Sequence, residues 1–193
     1  MSSTSAALSF PVFLQRTSSD NADGVLLARC KRGERAAFDV LLNRYRERVL
    51  NLAFQMLRDE HAAEDVAQEV FVRAFSKIHD FRGESSLFTW LYQITLNECR
   101  AKTRRAKVHL NYDDCDNCKG DERSTPENAT LQKIALENAL DQLSEPLRVA
   151  LVLRELHGLS YEEISKVLKI PVGTTRSRLH EARQKFQRIW DAE

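Results

Sequence analysis

At 193 residues, 42% of them apolar and 30% charged, the chain has room for one domain or two small ones and the composition of a soluble protein. Gly (6) and Pro (4) are scarce while Leu, Ala, Glu and Arg are frequent, which favours helix over sheet. A net charge of +1 leaves no global basic field, no apolar run approaches the ~20 residues that cross a bilayer, and four Cys do not form a disulfide framework at this size. A cytoplasmic protein without membrane insertion is expected.

Charge is uneven along the chain. Lys and Arg outnumber Asp and Glu by 16 to 13 in residues 20–107 and by 10 to 9 in residues 129–193, but are outnumbered 2 to 6 in residues 108–128. An acidic strip thus separates two mildly basic blocks. Residues 1–20 are rich in Ser, Thr and Ala without helical periodicity and read as a flexible tail. Their apolar patch, Leu8 to Leu14, is interrupted by Pro11 and preceded by no Lys or Arg, so no secretory signal is expected.

Helix begins near Asp23, which is placed to cap a short segment carrying Val25, Leu26 and Leu27 and ending near Gly33. A longer helix follows, with Phe38, Leu41, Leu42, Tyr45, Val49, Leu52 and Ala53 on its inner face and Arg44, Arg46 and Arg48 on a solvated one. Asp59 caps a third helix whose buried stripe is Val66, Val70, Phe71, Ala74, Phe75 and Ile78. Asp65, Gln68, Glu69 and Val72 share another face of it, compact and polar enough for protein docking. Gly83 with Glu84, Ser85 and Ser86 makes a loop, and Ser85 or Ser86 caps a fourth helix holding Phe88, Trp90, Leu91, Tyr92, Ile94 and Leu96. That helix turns basic at Arg100, Lys102, Arg104, Arg105 and Lys107. Aromatics beside cations suit single-stranded nucleic acid, where bases stack and cations follow phosphates, although core packing is the better reading for Trp90 taken alone.

Residues 108–128 lose the pattern and read as a linker closed by Pro126. They contain Cys115 and Cys118 in a CxxC, with His109 six residues before the first. Half a metal site or a redox pair has this spacing, but a structural zinc site takes four ligands and no second such motif follows, so no metal is expected. From Ala129 helix returns with Leu131, Ile134, Ala135, Ala139 and Leu143. Ser144 and Pro146 start the next, which carries Val149, Leu151, Val152, Leu153 and Leu156 and stops at Gly158.

The final stretch, residues 159–188, reads as two short helices and a tight turn. Ser160 and Glu163 form a capping box, and Ile164, Val167 and Leu168 give an apolar face. Pro171 and Gly173 break the helix, and Gly173 or Thr174 starts another. In the second helix Leu179, Ala182, Phe186 and Ile189 face inward, while Arg176, His180 and Arg183 lie on a different face. This is the pattern of a helix-turn-helix whose second helix enters the major groove, a task that suits the planar fork of Arg. The expected architecture is all-α: two small helical domains (21–107 and 129–193) joined by a flexible linker, the C-terminal one a helix-turn-helix four-helix unit. No Gly-rich phosphate loop, HExxH or nucleophile–base motif occurs, so neither enzymatic activity nor a cofactor is expected.

Three blocks extend this reading: Asp65-Val66-Ala67-Gln68-Glu69-Val70-Phe71; Phe81-Arg82-Gly83-Glu84-Ser85-Ser86 with Thr89 to Ile94 and Asn97; and Leu153 to Ile164 with Pro171 to Thr174 and Arg176 to Leu179. In this order and spacing the chain resembles bacterial RNA polymerase sigma factors of the extracytoplasmic-function (ECF) group, from about Asp23 to the C-terminus. The resemblance implies that the first domain is a region-two domain. Its Asp65, Gln68, Glu69 and Val72 would dock on the beta-prime clamp helices of core RNA polymerase. Arg82, Ser85, Phe88, Trp90, Asn97, Arg100, Arg104 and Arg105 would recognise and melt the minus-ten element, holding a flipped base. The second domain would be region four, contacting the beta flap and reading the minus-thirty-five element through Thr174, Arg176, Ser177, Arg178, His180 and Arg183. Promoter DNA and an anti-sigma factor are the other implied partners, in a stress or environmental response. Glu181 departs from the family's common Arg, and Gln93 from a frequent Arg. The competing reading is a stand-alone helix-turn-helix regulator, which would leave the Asp65–Glu69 face and the aromatic-basic stretch without a task.

Overall fold

The computed structural model describes residues 20–83, 85–110 and 129–192, and every regular element among them is helical. In the first unit α1 (Asp20–Lys31), α2 (Arg35–Leu57), α3 (Glu60–Lys77) and α4 (Leu87–Leu110) pack together, with a single 3-10 turn at Ile78–Asp80. In the second, α5 (Ala129–Asp141), α6 (Glu145–Leu151), α7 (Tyr161–Leu168) and α8 (Val172–Trp190) enclose their own core, and α6 runs on into a π-helical turn at Val152–Leu156. The residues expected to form the tail and most of the linker, Cys115 and Cys118 among them, lie outside the described residues.

The helical periods carry over into burial. Leu41, Tyr45, Val49, Leu52 and Ala53 of α2 are buried, as are Val66, Val70, Phe71 and Ala74 of α3, because spacings of three and four return to one face. Asp59 caps α3 by accepting from the Ala62 amide at 2.7 Å. The capping box of α7 closes in both directions: Ser160 N–H donates to the Glu163 carboxylate (2.8 Å) and Glu163 N–H to the Ser160 hydroxyl (3.2 Å). Leu179, Ala182 and Phe186 bury the inner side of α8.

Several expectations are corrected. Asp23 is not a cap: α1 starts at Asp20, and the Asp23 carboxylate instead accepts from Arg44 Nη1 (2.5 Å) and the Tyr45 hydroxyl, tying α1 to α2. Arg48 is not merely solvated either, since its guanidinium lies over the Phe88 ring at 5.3 Å. Phe75 is 49% exposed rather than buried, with its ring in an edge-on contact with Phe38 at a centroid distance of 5.0 Å, on the rim of the helix's apolar stripe. Ser144 stands at the N-cap of α6 but makes no side-chain capping bond; Pro146 in the first turn removes one amide that would have needed it. Pro171 and Gly173 are not what ends the first helix of the helix-turn-helix. α7 ends at Leu168 and is capped by Lys169, held left-handed at φ 54°; α8 begins at Val172 after Pro171, with Gly173 inside its first turn. The fourth helix also outlasts the expected boundary at 107 by three residues.

Phe186, 1% exposed, and Phe75 offer a direct check on this packing. Phe186→Ala should lower the unfolding free energy by about 3–5 kcal/mol in urea titration, and Phe75→Ala by well under half of that. Equal losses would contradict the core described here.

Candidate protein and nucleic-acid interfaces

Asp65, Gln68, Glu69 and Val72 stand at i, i+3, i+4 and i+7 of α3, so the helix aligns them on one face, and all four are exposed. Val72 is 70% exposed, and with Phe75 it borders an open groove of about 550 Å³ lined also by Phe38, Leu42, Leu50 and Phe71. An exposed apolar groove flanked by carboxylates suits a partner helix with an apolar stripe and basic edges. Two ion pairs tie this face to α4. Lys102 Nζ reaches Asp65 at 2.7 Å and holds its carboxyl below the ordinary carboxylate range. Arg73 Nε meets the buried Glu98 at 2.8 Å; burial, reinforced by the neighbouring Glu69, nonetheless pushes the Glu98 carboxyl up.

The loop before α4 is anchored at both ends. Phe81 is buried, with its ring 5.1 Å from Trp90. Ser86 accepts from the Thr89 amide (3.2 Å) and pairs with its hydroxyl (2.8 Å), so Ser86 rather than Ser85 starts the helix. Gly83 takes φ +77°, where a side chain would be strained. Between the anchors Arg82 is exposed and Ser85 half-buried. Asn97, Arg100, Arg104 and Arg105 follow along an exposed side of α4. Phe88 is not displayed with them: it is packed against both apolar cores, 4.1 Å from Tyr92.

In α8 Arg176, Ser177, His180 and Arg183 are exposed, and Thr174 and Arg178 half-buried. Arg183 is already engaged, with Nη2 and Nε at 2.6 and 3.0 Å from Glu155 Oε1. His180 Nε2 is 3.0 Å from Gln184, and Glu181 pairs with Lys185 at 2.7 Å one turn on. Of the α8 cations expected at the DNA, Arg176 is exposed and Arg178 half-buried, while Arg183 is held by Glu155.

Sequence reasoning missed how the two units join. Tyr92 of α4 and His157, just after the π turn, are 1% and 6% exposed, and the Tyr92 hydroxyl lies 2.6 Å from His157 Nδ1. Around this pair Gln93 Nε2 donates to the Lys166 carbonyl (2.7 Å), Arg58 reaches Asp141 (3.2 Å) and the Glu137 carbonyl (3.3 Å), and Arg100 meets Glu145 (3.0 Å). The partners are 45 to 83 residues apart. No local pattern announces such pairs. The joint also brings Phe81, Arg82 and Trp90 across an open cleft of about 700 Å³ from Lys166, Lys169 and Pro171 of the helix-turn-helix.

Cys30 and Cys99 are buried, and burial pushes the Cys99 thiol up to about 12, which leaves it unreactive. Among the described residues no cluster of three His, Cys, Asp or Glu is arranged for a metal, and no helix is long and apolar enough to cross a membrane.

Comparison with known proteins matches both halves. Residues 41–108 match the family model described as Sigma-70 region 2, and residues 133–186 the one described as Sigma-70, region 4. The chain is 38% identical over 174 residues to the RNA polymerase sigma-H factor of Pseudomonas aeruginosa, covering 84% of this chain and 90% of that protein. It is 36% identical to the ECF RNA polymerase sigma-E factor of Escherichia coli K12, covering 84% and 91%. Among solved structures, CnrH in complex with the cytosolic domain of CnrY superposes with a TM-score of 0.71 at 27% identity, covering 89% of this chain and 99% of that one. The sigma factor RpoE of Bartonella quintana, crystallised with the anti-sigma factor NepR, shares the fold at the same TM-score and 24% identity, covering 81% and 98%.

The joint carries its own pH dependence. Burial, with the charge of Arg48 adding to it, lowers the His157 pKa from 6.5 to about 4. Below pH 6.5 the unfolded chain therefore takes up a proton that the folded chain refuses, and stability falls as pH drops from 6.5 towards 4. Urea unfolding across that window should show a shallower loss for His157→Gln than for the wild type. Parallel profiles would mean that the imidazole is not buried at the joint.

Proposed function

Because the chain belongs to the sigma-70 family of RNA polymerase sigma factors, in its ECF group, we propose that it binds core RNA polymerase and directs promoter-specific initiation of transcription under the control of an anti-sigma factor. One observation carries the reading: region-two and region-four matches occur in that order in one chain, and sigma relatives align over nine-tenths of their own length. The polymerase is cytoplasmic, and so is the proposed site of action.

The geometry supports a division of labour. The α3 face of Asp65, Gln68, Glu69 and Val72, with its apolar groove, docks on the beta-prime clamp helices. Arg82, Ser85 and Trp90 at the loop, with Asn97, Arg104 and Arg105 along α4, meet the minus-ten element as it melts. Unstacking a base costs a few kcal/mol, and an aromatic-lined loop beside a cationic track offsets it. Arg176, with Thr174, Ser177, Arg178 and His180, reads the minus-thirty-five element from α8. Arg183 joins them only by giving up Glu155.

The two units cannot stay closed while doing this. Elements named for positions ten and thirty-five lie about 25 base pairs apart, roughly 85 Å of duplex at 3.4 Å per pair. Here α4 and α7 touch directly. Initiation therefore proceeds from an opened chain, with Phe88 and Arg100 released from the joint. An anti-sigma factor that stabilises the closed pairing, or covers the α3 groove, keeps the protein idle.

Run-off transcription with purified core polymerase and a cognate promoter tests the reading. Promoter-specific transcripts are expected only when the protein is added; duplex binding without initiation would instead identify a stand-alone regulator. Charge reversal of the docking face, Asp65→Lys with Glu69→Lys, should weaken core binding roughly tenfold or more while leaving the full chain's affinity for minus-thirty-five duplex unchanged. Equal loss of both would remove α3 from the core interface.

A further inference from the structure

We propose that Lys31, the last residue of α1, is a positioning residue for promoter melting: its ammonium holds the carbonyl of Phe81 and thereby fixes where the minus-ten loop leaves the body of the protein. The proposal rests on the sigma-factor reading above. It concerns an element that the region-two match, which starts at residue 41, does not include.

The contact spans fifty residues of sequence. Lys31 Nζ donates to Phe81 O at 2.5 Å, and the same ammonium sits 6.0 Å from the centroid of the Phe81 ring. Both ends of the Phe81 residue are thus engaged by one cation, through a charge-assisted hydrogen bond to its carbonyl and a cation–π contact with its ring. The ring also packs against Trp90, at a centroid distance of 5.1 Å. Lys31 is half-buried, which shields the bond from competing water. Its place at the end of α1 also favours a positive charge there, next to the helix's last carbonyls.

The consequence lies in what remains free. Phe81 follows the 3-10 turn, and its backbone is extended (φ −66°, ψ 111°). Ser86 is fixed by Thr89. Arg82, Gly83 and Ser85 lie between these two posts, with Gly83 at φ +77°. A base that leaves the duplex must find its pocket already formed, because each additional loop conformer reduces the fraction competent to capture it. Without Lys31 the Phe81 carbonyl loses this donor and the near post loosens. The Ser86 post and the α3 docking face are untouched.

The variants are Lys31→Met, which keeps the stem packed on Phe81 but removes the donor, and Lys31→Arg, which restores one. Each is assembled with core polymerase. Open-complex formation on duplex promoter is followed by permanganate reactivity of the melted strand, in parallel with the same promoter carrying a pre-opened bubble. Lys31→Met should slow opening on duplex roughly tenfold, Lys31→Arg should recover most of the rate, and the bubble template should be used by all three proteins alike. Core affinity and the thermal unfolding midpoint should stay near wild type. An unchanged rate on duplex overturns the proposal, as does an equal defect on the bubble. So does a smaller salt dependence of promoter binding in Lys31→Met, which would make Lys31 a direct phosphate contact. If the wild-type protein itself initiates from neither template, the sigma-factor reading fails first and this role with it.

Discussion

A tyrosine hydroxyl and a histidine ring, each buried and each with the other as its partner, set the form of this molecule. A buried polar group without a partner costs about 1–3 kcal/mol, so neither unit presents a finished surface until Tyr92 of one meets His157 of the other. Leu52 and Leu96 of the first unit are drawn into the apolar core of the second along with Tyr92. The polar contacts of Gln93, Arg58 and Arg100 form a rim around this centre. Apolar burial supplies the adhesion, and the hydrogen bond supplies the direction.

The helix that carries Tyr92 is shared among three neighbours. One side of α4 packs on α2 and α3, another on the second unit, and a third carries the exposed Asn97, Arg104 and Arg105. Proposed melting and closure therefore both act on α4, and the proposed docking face lies on α3 beside it. Lys102 and Glu98 of α4 pair with Asp65 and Arg73 of α3, so the docking face and the cationic track are held in fixed relation whatever the second unit does. Opening the joint leaves these two ion pairs in place, because both partners of each belong to the first unit.

Closure and function draw on the same side chains. Phe88 and Arg100 are engaged in the joint, and both belong to the stretch expected to meet the minus-ten element. Arg183, expected at the DNA, is engaged by Glu155. The Arg100–Glu145 and Arg183–Glu155 ion pairs lie near the surface, each worth little in water, and a polyanion competes for the two arginines effectively. The Tyr92–His157 pair is different: it is apolar-surrounded and carries no net charge, so phosphate offers it no substitute.

Much of this could be read from the chain alone. Periods of three and four located α2, α3 and α8 with their inner faces, and the capping box at Ser160–Glu163 placed the start of α7, because helices and caps are decided by neighbours within one turn. The same locality aligned Asp65, Gln68, Glu69 and Val72, and the motif blocks identified the family. Tertiary structure alone decided that Asp23 serves Arg44 and Tyr45 rather than a helix end, that Phe75 lies at an uncovered edge, that Lys31 reaches Phe81, and that Tyr92 finds His157. In each case the sequence states what a side chain offers and which way its helix turns it. Which partner accepts the offer depends on the angle and distance at which two helices far apart in the chain come to rest, and that is set by the packing of all of them together.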